Sequence, residues 1–281
     1  MAASDKSLLE ANDHLIHLVE ELALTNEKLL EANEQLGNSE KIQKEFINIA
    51  AHELRTPITP ILVSLHLAKR VKTADGASQT ILAEDQAEMI VRNAKRLEKL
   101  ANDILTVARI EGKGLKLHKE PVELNEEIRH ATSDAKTLVP LGKNIDFIFE
   151  PSKEAIIVDV DKSKLFEVLS NLIKNAIRFM DEPQGKITVR LSKEKQDETA
   201  DGNSSVDMMA VITINDNGMG IDPKILPRIF QKFVASSDFG ATGLGLYVSK
   251  SIVDAHNGKI WGEDNKDGKG ATFRFTLPLK P

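Results

Sequence analysis

The chain has 281 residues, room for about two domains of ordinary size, each able to bury its own core. Its 37 Lys and Arg stand against 43 Asp and Glu, a formal charge of −6, so neither duplex nucleic acid nor an acidic membrane surface is the expected partner. Cysteine is absent, which excludes disulfides, thiolate catalysis and cysteine-ligated zinc, and one Trp with one Tyr leaves little for stacking on single-stranded nucleic acid. No apolar run approaches the roughly 20 residues that a bilayer span needs. The start, Met1-Ala2-Ala3-Ser4-Asp5-Lys6, has no apolar signal core, so the sequence reads as soluble and cytoplasmic.

Leu8, Leu15, Leu22, Leu29 and Leu36 recur every seven residues, with Ala11, Leu18, Thr25, Ala32, Ser39 and Phe46 between them at d positions. Residues 1–39 therefore read as a parallel coiled coil, weak alone because Thr25, Ala32 and Ser39 sit in its seam. It is either a signalling helix or a plain dimerisation helix. Residues 40–112 read as a helical hairpin: one helix to about Lys72, a break at Thr73-Ala74-Asp75-Gly76-Ala77, and a second from about Ser78 to Ile110. One hairpin has a narrow core, whereas two make a four-helix bundle, so a homodimer is expected.

Glu111-Gly112-Lys113-Gly114 closes the second helix, and residues 113–281 have a different texture, short β-branched runs alternating with helical stretches. Strands are expected at Leu115–Leu117, Ile145–Glu150, Ala155–Val158, Lys186–Leu191, Met208–Asn215, Lys259–Asp264 and Ala271–Pro278. Helices are expected at Leu124–Val139, Lys162–Met180, Lys224–Ile229 and Gly245–Asn257. The class is α+β, with this last part an α/β sandwich. Residues 193–207, charged and with one apolar β-former, read as a mobile hairpin tip.

The first hairpin helix carries Phe46-Ile47-Asn48-Ile49-Ala50-Ala51-His52-Glu53-Leu54-Arg55-Thr56-Pro57-Ile58-Thr59-Pro60. Each proline lacks an N–H and crowds the carbonyl four residues back, so the helix should bend there. With Phe46, Ile49 and Leu54 turned inward, His52 falls on the solvent flank and Thr56 lies one turn on along the same face. An exposed imidazole beside Glu53 and Arg55 suits a nucleophile, because a carboxylate can take the Nδ1 proton and sharpen Nε2 for attack on phosphorus. Neither His52 with His66 nor any Cys or His cluster has metal-ligand spacing.

Further on, a helix capped by Asp161 contains Asn171-Leu172-Ile173-Lys174-Asn175-Ala176-Ile177-Arg178-Phe179, whose spacing puts Asn171, Asn175 and Arg178 on one face, suited to a metal triphosphate. After the strand Val211-Ile212-Thr213-Ile214 comes Asn215-Asp216-Asn217-Gly218-Met219-Gly220-Ile221-Asp222, where a strand-end carboxylate and two glycines leave room for a flat base with an exocyclic amine. Ile229-Phe230-Gln231-Lys232-Phe233 follows, then Thr242-Gly243-Leu244-Gly245-Leu246-Tyr247, glycines running into a helix N-terminus that offers N–H donors to phosphate.

In this order the motifs resemble the N, G1, F and G2 boxes of the histidine-kinase catalytic domain, and His52-Glu53-Leu54-Arg55-Thr56-Pro57 resembles the phosphoacceptor box of sensor histidine kinases. The resemblance covers about residues 40–281. It implies a Bergerat-type ATP-binding domain that uses ATP and Mg²⁺, with Asn175 on the metal, Asn171 and Arg178 at the phosphates, and Asp216 on the adenine amine. Gly243 and Gly245 would border the triphosphate, with Val234–Thr242 as the ATP lid. The same resemblance marks Phe179, Gly218, Gly220, Ile221, Phe230, Phe233, Thr242, Leu244, Leu246 and Thr272 as lining or supporting positions. It further implies autophosphorylation of His52, aided by Glu53 and Arg55, transfer to an aspartate of a response-regulator receiver domain, and a regulator phosphatase step in which Thr56 positions water. The stimulus would come from an upstream sensor module or partner.

Three positions depart from the family pattern: a short lid, Ala271 where Ser or Thr is frequent after Gly270, and Lys232 where Pro is common. ATP hydrolases of the superfamily typically carry a water-activating Glu four residues before the metal Asn. This chain has Asn171 there, and an amide cannot serve as that base. The alternatives are an ATPase or ATP-driven clamp of the same superfamily, against which Asn171 argues, and a non-catalytic dimeric scaffold, against which intact His52, Asn175 and Asp216 argue.

Overall fold

A computed structural model describes residues 2–72, 78–113, 115–140, 142–181, 184–195, 208–234, 242–265 and 268–279. The order is α1 (Ala2–Leu67), β1 (Lys69–Lys72), β2 (Ser78–Ile81), α2 (Glu84–Lys113), β3 (Glu120–Glu123), α3 (Leu124–Lys136), β4 (Asn144–Glu150), β5 (Ile157–Val160), α4 (Lys162–Arg178), β6 (Gln184–Lys195), β7 (Met208–Asp216), a 3₁₀ turn (Leu226–Arg228), α5 (Gly245–Ala255), β8 (Ile260–Asp264) and β9 (Ala271–Pro278). The chain divides into two units, Met1–Thr56 and Pro57–Pro281.

The first unit is helix throughout its described length, and Leu22, Leu24, Leu29 and Leu30 are exposed along it. Helix α1 runs on as one element through Pro57 and Pro60. The bend expected at the prolines therefore does not interrupt it, and the division into units falls between Thr56 and Pro57. Thr56 Oγ1 donates to the carbonyl of His52 at 3.1 Å, the back-bonding by which a hydroxyl takes up a helical carbonyl lone pair.

In the second unit, helix α1 stops at Leu67, earlier than expected, because residues 69–72 and 78–81 pair as an antiparallel hairpin with Lys69 opposite Ile81 and Lys72 opposite Ser78. The expected break at 73–77 lies outside the described residues. Helix α2 buries Leu100 and Val107, two turns apart on one stripe, while Ser64 of α1 sits buried with its hydroxyl 3.6 Å from the Met89 sulfur. Ile58, Leu62, Val63, Leu65, Val91 and Leu105 stay exposed, leaving a second apolar face on this hairpin.

The remaining chain folds into a five-stranded mixed sheet of order β4-β6-β7-β9-β8, parallel only between β4 and β6. Strand β6 alternates buried Ile187, Val189 and Leu191 with more open neighbours, the period-two pattern of a sheet with one covered face. Helices α3, α4 and α5 pack against it and one another, with Leu169, Leu172 and Ile173 of α4 fully buried. The α+β class is therefore the observed one, and Ala271–Pro278 has the bounds read from sequence.

Several boundaries differ from expectation. Leu115–Leu117 forms no strand, since His118 gives its N–H to Asp161 Oδ2 at 3.0 Å instead of to a ladder. Residues 120–123 form β3 and pair with β5, a position open to Pro121 because a two-stranded ladder has only edges. Helices α3, α4 and α5 end two or three residues early, and the segment expected as a helix from Lys224 shortens to the 3₁₀ turn. Strand β6 runs to Lys195, so residues 193–195 of the expected mobile tip are strand, and residues 196–207 lie outside the described residues.

Candidate functional site

Asp161 shows how this half is tied together. Its carboxylate caps α4 through the Lys164 N–H and also accepts from Ser163 Oγ and the His118 N–H, while its own N–H donates to His256 Nε2 at 2.9 Å. That bond makes Nε2 an acceptor, so His256 is neutral and donates from Nδ1 to the Ile252 carbonyl at 2.8 Å. Burial lowers the His256 pKa. Burial opposes ionisation of Asp161 too, but the three donors outweigh it and hold the carboxyl at about 2. One buried carboxylate thus joins the segment before β3, α4 and α5.

A cleft opens between α4, α5, the ends of β7 and β9 and the segment after β7. Asn171, Asn175, Arg178 and Phe179 reach it from α4, and Asp216, Gly220 and Ile221 from the end of β7 and beyond. Thr242, Gly243, Gly245 and Leu246 complete it from the α5 side, and Ala271 and Phe273 from β9. These thirteen positions, spread along the chain from Asn171 to Phe273, meet here, and the spacing on α4 explains its share: Asn171, Asn175 and Arg178 lie on one face.

Asp216 is 4% exposed. Burial raises its pKa, against two N–H donors, Gly218 at 2.9 Å and Ala271 at 3.2 Å, that stabilise the carboxylate. Both amides reach Oδ1, which leaves Oδ2 for a ligand's amine. Asn265, unnoticed in the sequence, holds this arrangement from behind: its amide donates to the Asp216 carbonyl at 2.7 Å and accepts from Asn215 Nδ2 and Thr272 Oγ1. Thr272 therefore stands behind the carboxylate and does not line the cleft, which Ala271 lines instead. Gly270 has φ +79°, and a Cβ there would collide with the Asp216 carbonyl, so only glycine lets the two backbones approach.

At the opposite end, Asn171 Nδ2 donates to Ser249 Oγ at 2.9 Å, and a Cβ on Gly245 would meet Asn171 Oδ1. The first turn of α5 thereby presents its N–H groups close to the α4 amides, an anion-favouring corner. Arg178, its pKa lowered by burial and by Arg96, adds positive charge. Leu244 is fully buried, and Phe230 packs edge-on against Phe273, ring centres 6.4 Å apart, so these two and Gly218 support the cleft from outside its wall. Phe233 holds φ 59° next to the expected lid, of which residues 235–241 lie outside the described residues.

A carboxylate at one end, two amides, a guanidinium and a helix N-terminus at the other, and apolar Ile221, Ile229 and Phe273 between them suit a purine nucleotide with its phosphates. Magnesium takes hard oxygen ligands and usually completes its shell with phosphate and water, so the Asn175 amide oxygen fits that role.

The first unit presents its chemistry on an open helix. His52 and Thr56 are exposed, while Ala50 is buried and Ile49, Glu53 and Leu54 are half-buried, the expected disposition. Arg55 is exposed. Among the described residues no three His, Asp or Glu cluster as a metal site, and no helix is long and apolar enough to cross a membrane.

Two family models match the chain. Residues 42–113 match the His Kinase A (phospho-acceptor) domain, and residues 160–281 match the histidine kinase-, DNA gyrase B- and HSP90-like ATPase. The sensor histidine kinase WalK of Bacillus subtilis is 28% identical over 244 residues, 85% of this chain and 37% of WalK. The sensor protein ChvG of Agrobacterium fabrum is 28% identical over 248 residues, 84% of this chain and 39% of ChvG. The solved histidine kinase ThkA, in complex with the response regulator protein TrrA, superposes with a TM-score of 0.61 at 26% identity, covering 84% of this chain and 62% of that one. The chain therefore joins an acceptor domain to an ATPase domain of this kind, the arrangement of a sensor histidine kinase catalytic core. It spans well under half the length of the two curated relatives.

Proposed function

We propose that the chain transfers the γ-phosphoryl group of ATP to His52 and then to an aspartate of a response-regulator receiver domain. The single observation that carries the reading is the pairing, in one chain, of a cleft suited to a nucleotide with an exposed histidine on a phospho-acceptor helix. Asp216 would accept from the adenine amine, and Asn171, Arg178 and the amides at the start of α5 would hold the phosphates. Bound through Asn175, Mg²⁺ would neutralise charge on the phosphates.

His52 Nε2 attacks the γ-phosphorus, the bond from that phosphorus to the β–γ bridging oxygen breaks, and ADP departs. Glu53 takes up the Nδ1 proton, and Arg55 supports the phosphoryl group. The resulting N–P bond breaks when the receiver carboxylate attacks, forming an acyl phosphate and restoring the imidazole. Thr56 would position water for hydrolysis of that acyl phosphate. ThkA's complex with a response regulator supports the choice of partner. Water is a poor competitor at the cleft, because the Asn171 amide, engaged with Ser249, offers no base.

The reading includes a homodimer. Exposed Leu22 and Leu29, both at a positions of the heptad, and the apolar face of Ile58, Leu62, Leu65 and Leu105 would be covered by a second copy, with residues 1–39 as coiled coil and 40–112 as half of a four-helix bundle. Residues 113–281 would be the ATP-binding domain, and the stimulus would arrive from an upstream module or partner.

The test is incubation with γ-labelled ATP and Mg²⁺ followed by acid or alkali treatment. Label that stays on the protein, survives alkali and is lost in acid supports the reading. Stoichiometric release of free phosphate with no protein-bound label would make the chain an ATPase.

A further inference from the structure

Helix α2 belongs to the acceptor hairpin, yet it supplies one side chain to the nucleotide cleft: Lys99 lines it together with Asn171, Asn175, Arg178, Gly243 and Gly245. The same lysine, with Asn171 and Gly245, also lines an adjoining cavity between α2, α4 and α5. One helical turn further along α2, Asp103 Oδ2 accepts from the hydroxyl of Thr242 at 3.0 Å, and Thr242 is itself part of the cleft edge. A residue four positions away shares the helix face, so the Asp103–Thr242 bond fixes Lys99 at the end of the cleft where the α4 amides and the start of α5 converge. A second tie lies two turns beyond, where Lys232 pairs with Glu111 of α2.

We propose that Lys99 is a phosphate-binding residue of the nucleotide site, contributed by the dimerisation hairpin and not by the ATP-binding domain. The proposal rests on the nucleotide reading above. Its chemistry is charge balance. Lys99, Lys174 and Arg178 interact electrostatically at this end; Asp103, the carboxylate that acts on Lys99, is itself engaged with Thr242, and Glu167 of the adjoining cavity pairs with Lys164. Burial lowers the Lys99 pKa, Asp103 raises it, and Arg178 and Lys174 lower it further. Burial likewise raises the Asp103 pKa, against Lys99 and the Thr242 hydroxyl, which lower it. A polyphosphate supplies the missing negative charge.

The consequence is a linkage. If phosphate affinity includes a contact from α2, then nucleotide favours α2 docked on the cleft, and α2 docking favours nucleotide by the same factor. A signal that shifts α2 would change ATP affinity without touching Asp216 or Asn175.

The experiment measures binding of Mg-ATP, Mg-ADP and adenosine to the full chain by calorimetry, for the unaltered protein and for Lys99→Ala and Lys99→Arg. A charge-assisted phosphate contact predicts that Lys99→Ala weakens ATP by about tenfold. ADP would be weakened less or equally, adenosine affinity would stay within twofold, and Lys99→Arg would recover most of the ATP affinity. ATP binding that is unchanged in Lys99→Ala overturns the proposal, as does a parallel loss for adenosine, which would make Lys99 a packing residue. An unaltered chain that binds none of the three ligands would sink the nucleotide reading and this proposal with it, an outcome distinct from the other two.

Discussion

The nucleotide cleft and the acceptor helix are built in opposite ways. The cleft gathers residues from five helices and strands, buries its carboxylate to 4% exposure and backs it with Asn265, Asn215 and Thr272. The acceptor stands on one helix, open to solvent, with local order supplied by a Thr56 hydroxyl on its own carbonyl. A ligand-holding site must replace water on all sides and so needs many walls. On the proposed function, the His52 side chain meets first a nucleotide and then a second protein, and so must remain reachable. Burial is therefore a guide to function in the ATP-binding half and a poor one in the acceptor half.

The sharpest break would come from separating the two chemically. His52→Gln should abolish stable protein labelling from γ-labelled ATP, a loss of more than about a hundredfold on the scale of removing a nucleophile, while ATP affinity measured by calorimetry stays within a few-fold. Labelling that persists would move the acceptor elsewhere. On the cleft side, Asp216→Asn removes a charged acceptor and should weaken ATP by roughly ten- to a hundredfold. Unchanged affinity would remove Asp216 from the adenine site.

Gly270→Ala tests the support and not the contact. A side chain forced to φ +79° against the Asp216 carbonyl should cost about 1–3 kcal/mol of stability, read as a lower urea midpoint. Equal midpoints would show that the loop relaxes.

Motif spacing made the cleft legible, because Asn171, Asn175 and Arg178 need only a helix to share a face and Asp216 needs only a strand end. The acceptor string was legible in the same way. Residues outside the motifs were not: Asn265 acts through a carbonyl, and Lys99 reaches the cleft, with Asp103 holding Thr242 at its edge, from a helix that periodicity assigns to another domain. Strand β3 escaped notice because Pro121 and two glutamates disguise it, and its pairing with β5 is a tertiary fact. The end of α1 at Leu67 was hidden for a like reason, since the β1–β2 pairing competes with continued helix.

Acid should loosen the cleft half in two steps. His256 and Asp161 both have pKa values depressed by folding, so the unfolded chain binds more protons and stability rises with pH. The His256 contribution is present above about pH 6.5 and is lost as pH falls below it. The Asp161 contribution is lost only as pH falls from 3.8 toward about 2. Urea midpoints recorded across this range should decline in that order, and a midpoint flat between pH 7 and 5 would contradict the neutral, buried His256. The smallest effect belongs to Thr56→Ala: slower dephosphorylation of the phosphorylated regulator with autophosphorylation preserved. Equal loss of both rates would remove its water-positioning role.

The most direct measurement is peptide mapping by mass spectrometry at neutral pH after incubation with Mg-ATP, using conditions that preserve phosphoramidates. The account predicts one phosphoryl group on the peptide spanning residues 46–60, localised to the imidazole of His52. A phosphorylated chain whose modification lies on any other residue, with His52 unmodified, would contradict it.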